Sequence, residues 1–298
     1  MWNKYNKTDD EIYNEIAENY LQTEGASEYI ADEIFRAKFD SDNAVHCFFS
    51  PSKSNGWAVC PAYLDRAKQW DGTKEPAIRG TITHHFLSKC VNMLKGGKFG
   101  KELDTIMSEV IEKSDWLSPA GVDSVRVLLS RCVELGIDKT HSEVFVMSPT
   151  LGIPNKNLRF GGSIDILHIR SCVDKDYVEY ADTHIYDLKT GKHVVSPNCW
   201  QLKCYAMLVQ ERFQFAYHKF TLGIAQNGKL TEYDFSDVRE QDVAFAHIKE
   251  AMDIYNEEYL GNRLNVDIDD AKDMEHDCCF QPCQYCRFCK GCFKREVL

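Results

Sequence analysis

The sequence predicts an α/β fold in which a central mixed β-sheet is flanked by helices. Three observations predict it. Apolar residues recur at the helical period as far as residue 135, then give way to runs rich in β-branched and aromatic residues at 143–147, 159–169, 177–188 and 217–225. Asn227-Gly228 follows the last of these and is a strong hairpin signal, which adds a further strand. A single helical pattern interrupts the strand runs, so the order is helices, three strands, helix, two strands, helix. That order fits layered helices around a mixed sheet and not a repeated βαβ barrel.

Each element has its own local reason. Residues 9–21 and 26–38 read as two amphipathic helices broken at Gly25. An extended piece surrounds Ser50-Pro51, followed by a short segment through Trp57, Cys60 and Tyr63. Gly80-Thr81 precedes an apolar-periodic run through Ile82, Phe86, Leu87 and Val91, with Thr81 as the expected N-cap of a helix. Pro119 suits a first helical turn and Gly136 a helix end, which predicts a helix over 119–135. The same logic, with Ser196 as cap and Pro197 at the first position, predicts a helix over 197–210, and a last helix is expected over 238–259.

Composition narrows the class. The chain has 298 residues, a formal net charge of −11, 44% hydrophobic residues and 13 cysteines. The acid is not spread evenly. Residues 1–50 carry 11 acids against 4 bases and residues 251–277 carry 9 against 2, whereas residues 51–250 have 25 of each. The body of the protein is therefore neutral, and an overall acidic charge does not exclude a nucleic-acid partner. No apolar run reaches the roughly 18 residues of a membrane span, and the N-terminus lacks the apolar core of an export signal. A soluble, cytoplasmic protein with no membrane partner is expected. Thirteen thiols in a reducing compartment then point to metal binding, not to a disulfide framework.

The informative stretch reads FGGSIDILHIR, then HIYDLKTGK, then CWQLKCYAMLV. Side chains two apart on a strand share a face, so Asp187 and Lys189 point together while Leu188 points into the core. If the strands holding Asp165 and Asp187 form a hairpin, both carboxylates reach one spot. Two carboxylates with a lysine beside them make a hard-oxygen site for Mg²⁺ or Mn²⁺ with an ammonium at hand, which suits phosphodiester hydrolysis. Asp-x-Lys at a strand end is on its own commonly a solvated edge. Gly161-Gly162, which permit close backbone approach, and Gln201 and Tyr205, which share one helix face at i and i+4, raise the reading above that.

The ordered set G-G-x-x-D, D-x-K and Q-x-x-x-Y resembles the PD-(D/E)XK nuclease superfamily, in particular its RecB-like branch with AddB and the CRISPR-adaptation nucleases. A Gly-Thr-x-x-His motif that opens an upstream helix in that branch is matched by residues 80–84. The resemblance covers about residues 50–292 and implies a restriction-endonuclease-like core. It also implies that His84, Asp165 and Asp187 hold Mg²⁺ or Mn²⁺, that Lys189 orients the attacking water, and that Gln201 and Tyr205 position Lys189 and the scissile strand. His85 is the rival of His84, and Glu143 is either a support of the site or a solvated strand-start residue.

Six cysteines, 278, 279, 283, 286, 289 and 292, crowd the C-terminus, and Cys-x-x-Cys spacing lets two thiolates grip one metal centre. Cys283, Cys286, Cys289 and Cys292 could hold zinc. Similarity to nucleases of this branch implies instead a [4Fe-4S] cluster on Cys283, Cys286 and Cys292 with Cys60, before Pro61, as the distant fourth ligand and Cys289 as an alternative. The knuckle would join the two ends of the domain. Arg287 and Lys290 interleave with Tyr285 and Phe288, a pattern open to single-stranded nucleic acid or to plain solvation. Cys90, Cys132, Cys172, Cys199 and Cys204 read as small core residues.

The expected organisation is an acidic helical extension over 1–49, a nuclease domain over 50–277 and a Cys-rich segment over 278–298. The expected activity is a metal-dependent exonuclease on single-stranded DNA ends, in recombination, repair or phage DNA processing. The acidic helices would serve a protein partner or limit DNA entry. Two other classes stay open: a non-catalytic DNA-binding or assembly subunit that retains the fold, and a zinc-binding interaction module.

Overall fold

The computed structural model describes residues 47–58, 75–98, 101–112, 117–153 and 158–255. The two expected N-terminal helices, Cys60, the C-terminal cysteines, Arg287 and Lys290 lie outside them. In chain order, a 3₁₀ turn, Pro51–Lys53, leads into α1 (Ser54–Trp57), then α2 (Glu75–Lys95), α3 (Lys101–Glu112) and α4 (Pro119–Leu135). These are followed by β1 (Thr140–Ile153), β2 (Leu158–Val173), β3 (Glu179–Lys189), α5 (Trp200–Arg212), β4 (His218–Gln226), β5 (Lys229–Asp234) and α6 (Val238–Ile254). The five strands form one sheet in the order β1-β2-β3-β4-β5. Only β3 and β4 run parallel, because α5 carries the chain across between them; the other neighbours are antiparallel. Among the described residues, no helix is long and apolar enough to cross a membrane.

Alternation along the strands sends side chains to two cores. Leu167, Ile169 and Ile185 join Phe49, Trp57 and the buried faces of α5 and α6 on one side. Ile166, Tyr186 and Leu188 join Leu87, Val91, Met107, Val125 and Leu128 of α2, α3 and α4 on the other. Burial of this much apolar surface on both faces is what holds a five-stranded sheet between helical layers. Phe49 extends the sheet locally: its N–H donates to the Arg159 carbonyl at 3.0 Å, beside the half of β2 that β3 does not reach.

Helix α4 has the expected bounds, with the Ser118 hydroxyl accepting from the Gly121 N–H and Gly136 at φ 107 ending it. The β4–β5 hairpin turns on Asn227 (φ 51) and Gly228 (φ 71), the left-handed pair that a tight hairpin with matching twist requires.

Other expectations need correction. The helix expected to start at Thr81 begins at Glu75, so Thr81 lies in its interior. Pro76 suits a first turn, whose N–H groups have no partner within the helix, and this outweighs the Gly-Thr start signal. Helix α5 begins at Trp200, not at Pro197, and Cys199 in the N-cap position makes no side-chain cap bond. The Asn55 Oδ1 accepts the Trp200 N–H at 3.1 Å instead, a cap supplied by a residue 145 positions away, while Ser196 bonds Asn198 in a local turn. Helix α3 has no counterpart in the sequence reading. Tyr177 was expected in a strand but sits in the β2–β3 turn at φ 61, 90% exposed. The first strand is longer than 143–147 and contains a register break between Met147 and Gly152.

Candidate active site

The two helical layers meet at the end of the β2–β3 hairpin. The ladder between these strands ends at Ile166↔Tyr186, one residue short of Asp165 on β2 and Asp187 on β3. There the Asp165 side chain takes over from the backbone: its Oδ2 accepts the Leu188 N–H at 2.7 Å. Its Oδ1 lies 2.8 Å from Nδ1 of His84, which α2 delivers from the opposite layer. His85, the rival, is exposed on the outer side of α2.

Asp187 is 4% exposed. Its Oδ1 accepts a 2.6 Å bond from Nε2 of Gln201 on α5, and its Oδ2 lies 2.8 Å from Nζ of Lys189. Lys189 in turn donates to Oε1 of Gln201 at 2.8 Å. One amide therefore bridges the carboxylate and the ammonium, donating to the first and accepting from the second. Tyr205, one turn further along α5, donates to the Ser163 carbonyl at 2.6 Å and ties the helix to β2 two residues before Asp165. It does not touch Lys189 among the bonds seen. Gly161 and Gly162 permit this packing: a Cβ on the first would lie 2.7 Å from the Val146 carbonyl oxygen and on the second 2.9 Å from Pro51 Cδ. The close approach they allow is of the protein's own chain. Glu143 is exposed, at φ 52, between the paired residues Ser142 and Val144 of β1.

Electrostatics follow from this crowding. Burial, and then the charge of Asp165, raise the Asp187 carboxyl above the ordinary carboxylate range. For Lys189 burial acts to lower the ammonium, but the adjoining Asp187 outweighs it and the net shift is upward. Burial likewise opposes protonation of His84, and the bond and charge of Asp165 reverse that. Burial holds the Tyr205 phenol well above its usual value, so it acts as a neutral donor.

A family model for the PD-(D/E)XK nuclease superfamily matches residues 49–293. The chain belongs to the PD-(D/E)XK nuclease superfamily. No curated protein matches the chain. The family carries metal-dependent nuclease activity, phosphodiester hydrolysis with Mg²⁺ or Mn²⁺ as the typical cofactor, and DNA as substrate.

The residues fit such an ion. Oδ2 of Asp187 is buried, with the Lys189 ammonium at 2.8 Å as its ion-pair partner. Two carboxylates and an imidazole form a donor set suited to hard divalent cations. Among the described residues, no group of three or more His, Cys, Asp or Glu stands arranged to hold a metal ion. His84 bonds Asp165, and Asp187 is held separately by Gln201 and Lys189.

Two residues that organise this region were missed. Asn55 caps α5 from α1, and Gln226, at the end of β4, bonds the backbone that follows Lys189. Neither lies in a motif, and no local pattern marks either one.

Proposed function

We propose that this PD-(D/E)XK nuclease is of the RecB-like type and acts as an exonuclease on single-stranded DNA ends, in recombination, repair or phage DNA processing. The observation that carries the reading is the Gln201 bridge, which fixes Lys189 against Asp187 at the strand ends. His84, Asp165 and Asp187 would hold Mg²⁺ or Mn²⁺. Once bound, such an ion polarises the phosphodiester and makes a water more acidic. Lys189 keeps its proton beside Asp187 and presents positive charge where the phosphorus centre gains negative charge. Its third donor direction is free to orient the attacking water. Gln201 stops the ammonium from swinging away, and Tyr205 fixes the helix that carries Gln201. Hydrolysis proceeds by direct attack of water, with no nucleophilic side chain among these residues forming a covalent intermediate.

Resemblance to RecB-like nucleases supports a [4Fe-4S] cluster on Cys60, Cys283, Cys286 and Cys292, with Cys289 or a zinc site on Cys283, Cys286, Cys289 and Cys292 as the alternative. Arg287 and Lys290 would contact the DNA strand there.

The test is anaerobic purification followed by incubation with end-labelled single-stranded DNA and Mn²⁺. Stepwise shortening from the end, abolished by EDTA and by Asp187→Asn, is the expected result. Full-length substrate after exhaustive incubation overturns the nuclease reading, and internal cuts overturn the exonuclease one. Brown protein containing iron and sulfide separates the cluster from zinc.

A further inference from the structure

The ten residues 190–199 lead from Lys189 on β3 to Gln201 on α5 without forming helix or strand. A loop of that length is expected to sample many shapes. Here one buried side chain fixes it. Gln226, the last residue of β4 and the parallel neighbour of Lys189, donates from Nε2 to the carbonyls of Gly191 (2.6 Å) and His193 (2.8 Å). Its Oε1 accepts the Val195 N–H at 3.1 Å. Three backbone groups within five residues thus close on a single amide that is 7% exposed.

The side chains between the clamp points face outward. Lys192 and His193 are exposed, and Val194 is 86% exposed, an aliphatic side chain turned to solvent beside a candidate active site. A buried amide that fixes such a loop fixes the place of those three side chains. Their chemistry matches a nucleic-acid strand: an ammonium for a phosphate, an imidazole for a phosphate or base edge, and a compact apolar surface for a sugar or base face. Three residues of chain span about 10 Å at most, so Lys192 lies within about three phosphates of the one facing Lys189.

We propose that residues 190–195 form a substrate-contacting lip, shaped by Gln226, in which Lys192 takes a backbone phosphate flanking the scissile one while His193 and Val194 line the strand's path. The proposal rests on the nuclease reading above. Gln226 is a positioning residue in it, since it acts through the loop.

The test uses the full-length protein and a fluorescein-labelled single-stranded oligonucleotide. In EDTA, Lys192→Ala raises Kd about fivefold at low salt, the loss of one charge-assisted contact. It also lowers the slope of log Kd against log salt by about 0.7, one phosphate contact on a single strand. In Mn²⁺ the same variant raises KM by a similar factor and leaves kcat within about twofold, the split expected of a binding contact outside the chemistry. Trypsin cuts the wild-type protein after Lys192 more slowly when the oligonucleotide is present. Gln226→Leu, which removes all three clamp bonds, raises KM as Lys192→Ala does and speeds that cut about tenfold in the free protein.

An unchanged Kd and salt slope for Lys192→Ala, in a protein that still cleaves in an Asp187-dependent way, overturns the lip and leaves the nuclease reading in place. Lys192-dependent binding without any cleavage does the reverse. Failure of the wild-type protein to bind the oligonucleotide overturns both. Should Gln226→Leu fail to fold, the Lys192→Ala measurements and the trypsin protection decide the matter alone.

Discussion

The same two strands carry two buried polar clusters that differ in how their charge is matched. At the end of the β2–β3 hairpin, on the α5 side, stand Asp165, Asp187 and Lys189. A few residues back, on the α4 side, His168 and His184 face each other in register across the ladder, their rings 5.6 Å apart. In the second, closed cluster charge is matched by neighbours of complementary chemistry, although Nε2 of His168 is buried without a hydrogen-bond partner. Asp182 pairs with Arg170 at 2.6 Å and lies 3.4 Å from His184, and Tyr186 donates to Glu232, which Arg131 also holds. His168 bonds Thr140 through Nδ1, and burial pushes its pKa down to about 4, so it is neutral. The first, open cluster instead concentrates two carboxylates beside one ammonium, with Oδ2 of Asp187 paired to Lys189 at 2.8 Å. Buried polarity alone does not distinguish a site. Excess like charge at an interrupted ladder does.

The sharpest way to break this comparison is to neutralise one residue of the open cluster. Asp187→Asn should lower cleavage at least about 10³-fold, since it removes an ion-holding carboxylate. It should also raise the thermal midpoint. Asp187 has a folded-state pKa above its unfolded one, so its burial favours folding below the ordinary carboxylate range and costs stability as pH rises through the folded value. Lost cleavage with lost stability would mean that the two clusters are alike structural networks.

The closed side should respond to acid and not in catalysis at neutral pH. His168 is held down to about 4 by burial, as is His218 on the opposite, α5 face of the sheet, where it bonds the Phe213 carbonyl and Thr183. Both therefore bind a proton in the unfolded chain first. Stability should fall as pH drops from about 6.5 to about 4, by up to about 3 kcal/mol for each imidazole, as read by urea unfolding across that range. A flat profile over that window would show that these rings reach water in the folded protein.

Gln201→Leu tests the bridge. With Asp187 and Lys189 no longer held by one amide, kcat should fall about 10- to 100-fold while KM for the oligonucleotide changes little. A rise in KM at constant kcat would assign Gln201 to substrate binding instead. The smallest effect is expected at Arg170→Ala, on the exposed flank of the closed cluster. Stability should change by less than about 1 kcal/mol and cleavage not at all, because a solvated ion pair contributes little. Loss of activity there would connect the two clusters.

The histories of particular residues show what was legible. Asp187 with Lys189, and Gln201 with Tyr205, were legible because strand and helix periods put each pair on one face, whereas His84 was legible only through the motif resemblance. The β4–β5 hairpin was legible from Asn227-Gly228, whose positive φ values few other residue pairs adopt. The start of α5 was not. Ser196-Pro197 carries a valid local cap signal, yet the cap in use is Asn55, and a side chain 145 residues away leaves no trace in the local pattern. Gln226 was invisible for the same reason, its three bonds reaching back 31 to 35 residues. Helix α3 was missed although Leu103 and Met107 bury against α2 and α4, since its pattern is short and lies between segments with clearer signals.

By itself, then, the sequence determined the order and type of most elements, the neutral body between acidic flanks, and which polar residues share a face. Those follow from backbone preference and side-chain period, which act over a few neighbouring residues. Tertiary structure alone decided that His84 and not His85 meets Asp165, that Gln201 bridges Asp187 to Lys189, and that Gln226 sets the shape of the loop after Lys189. Each of these is a contact between segments far apart in the chain, and its geometry exists only once the two helical layers have closed on the sheet.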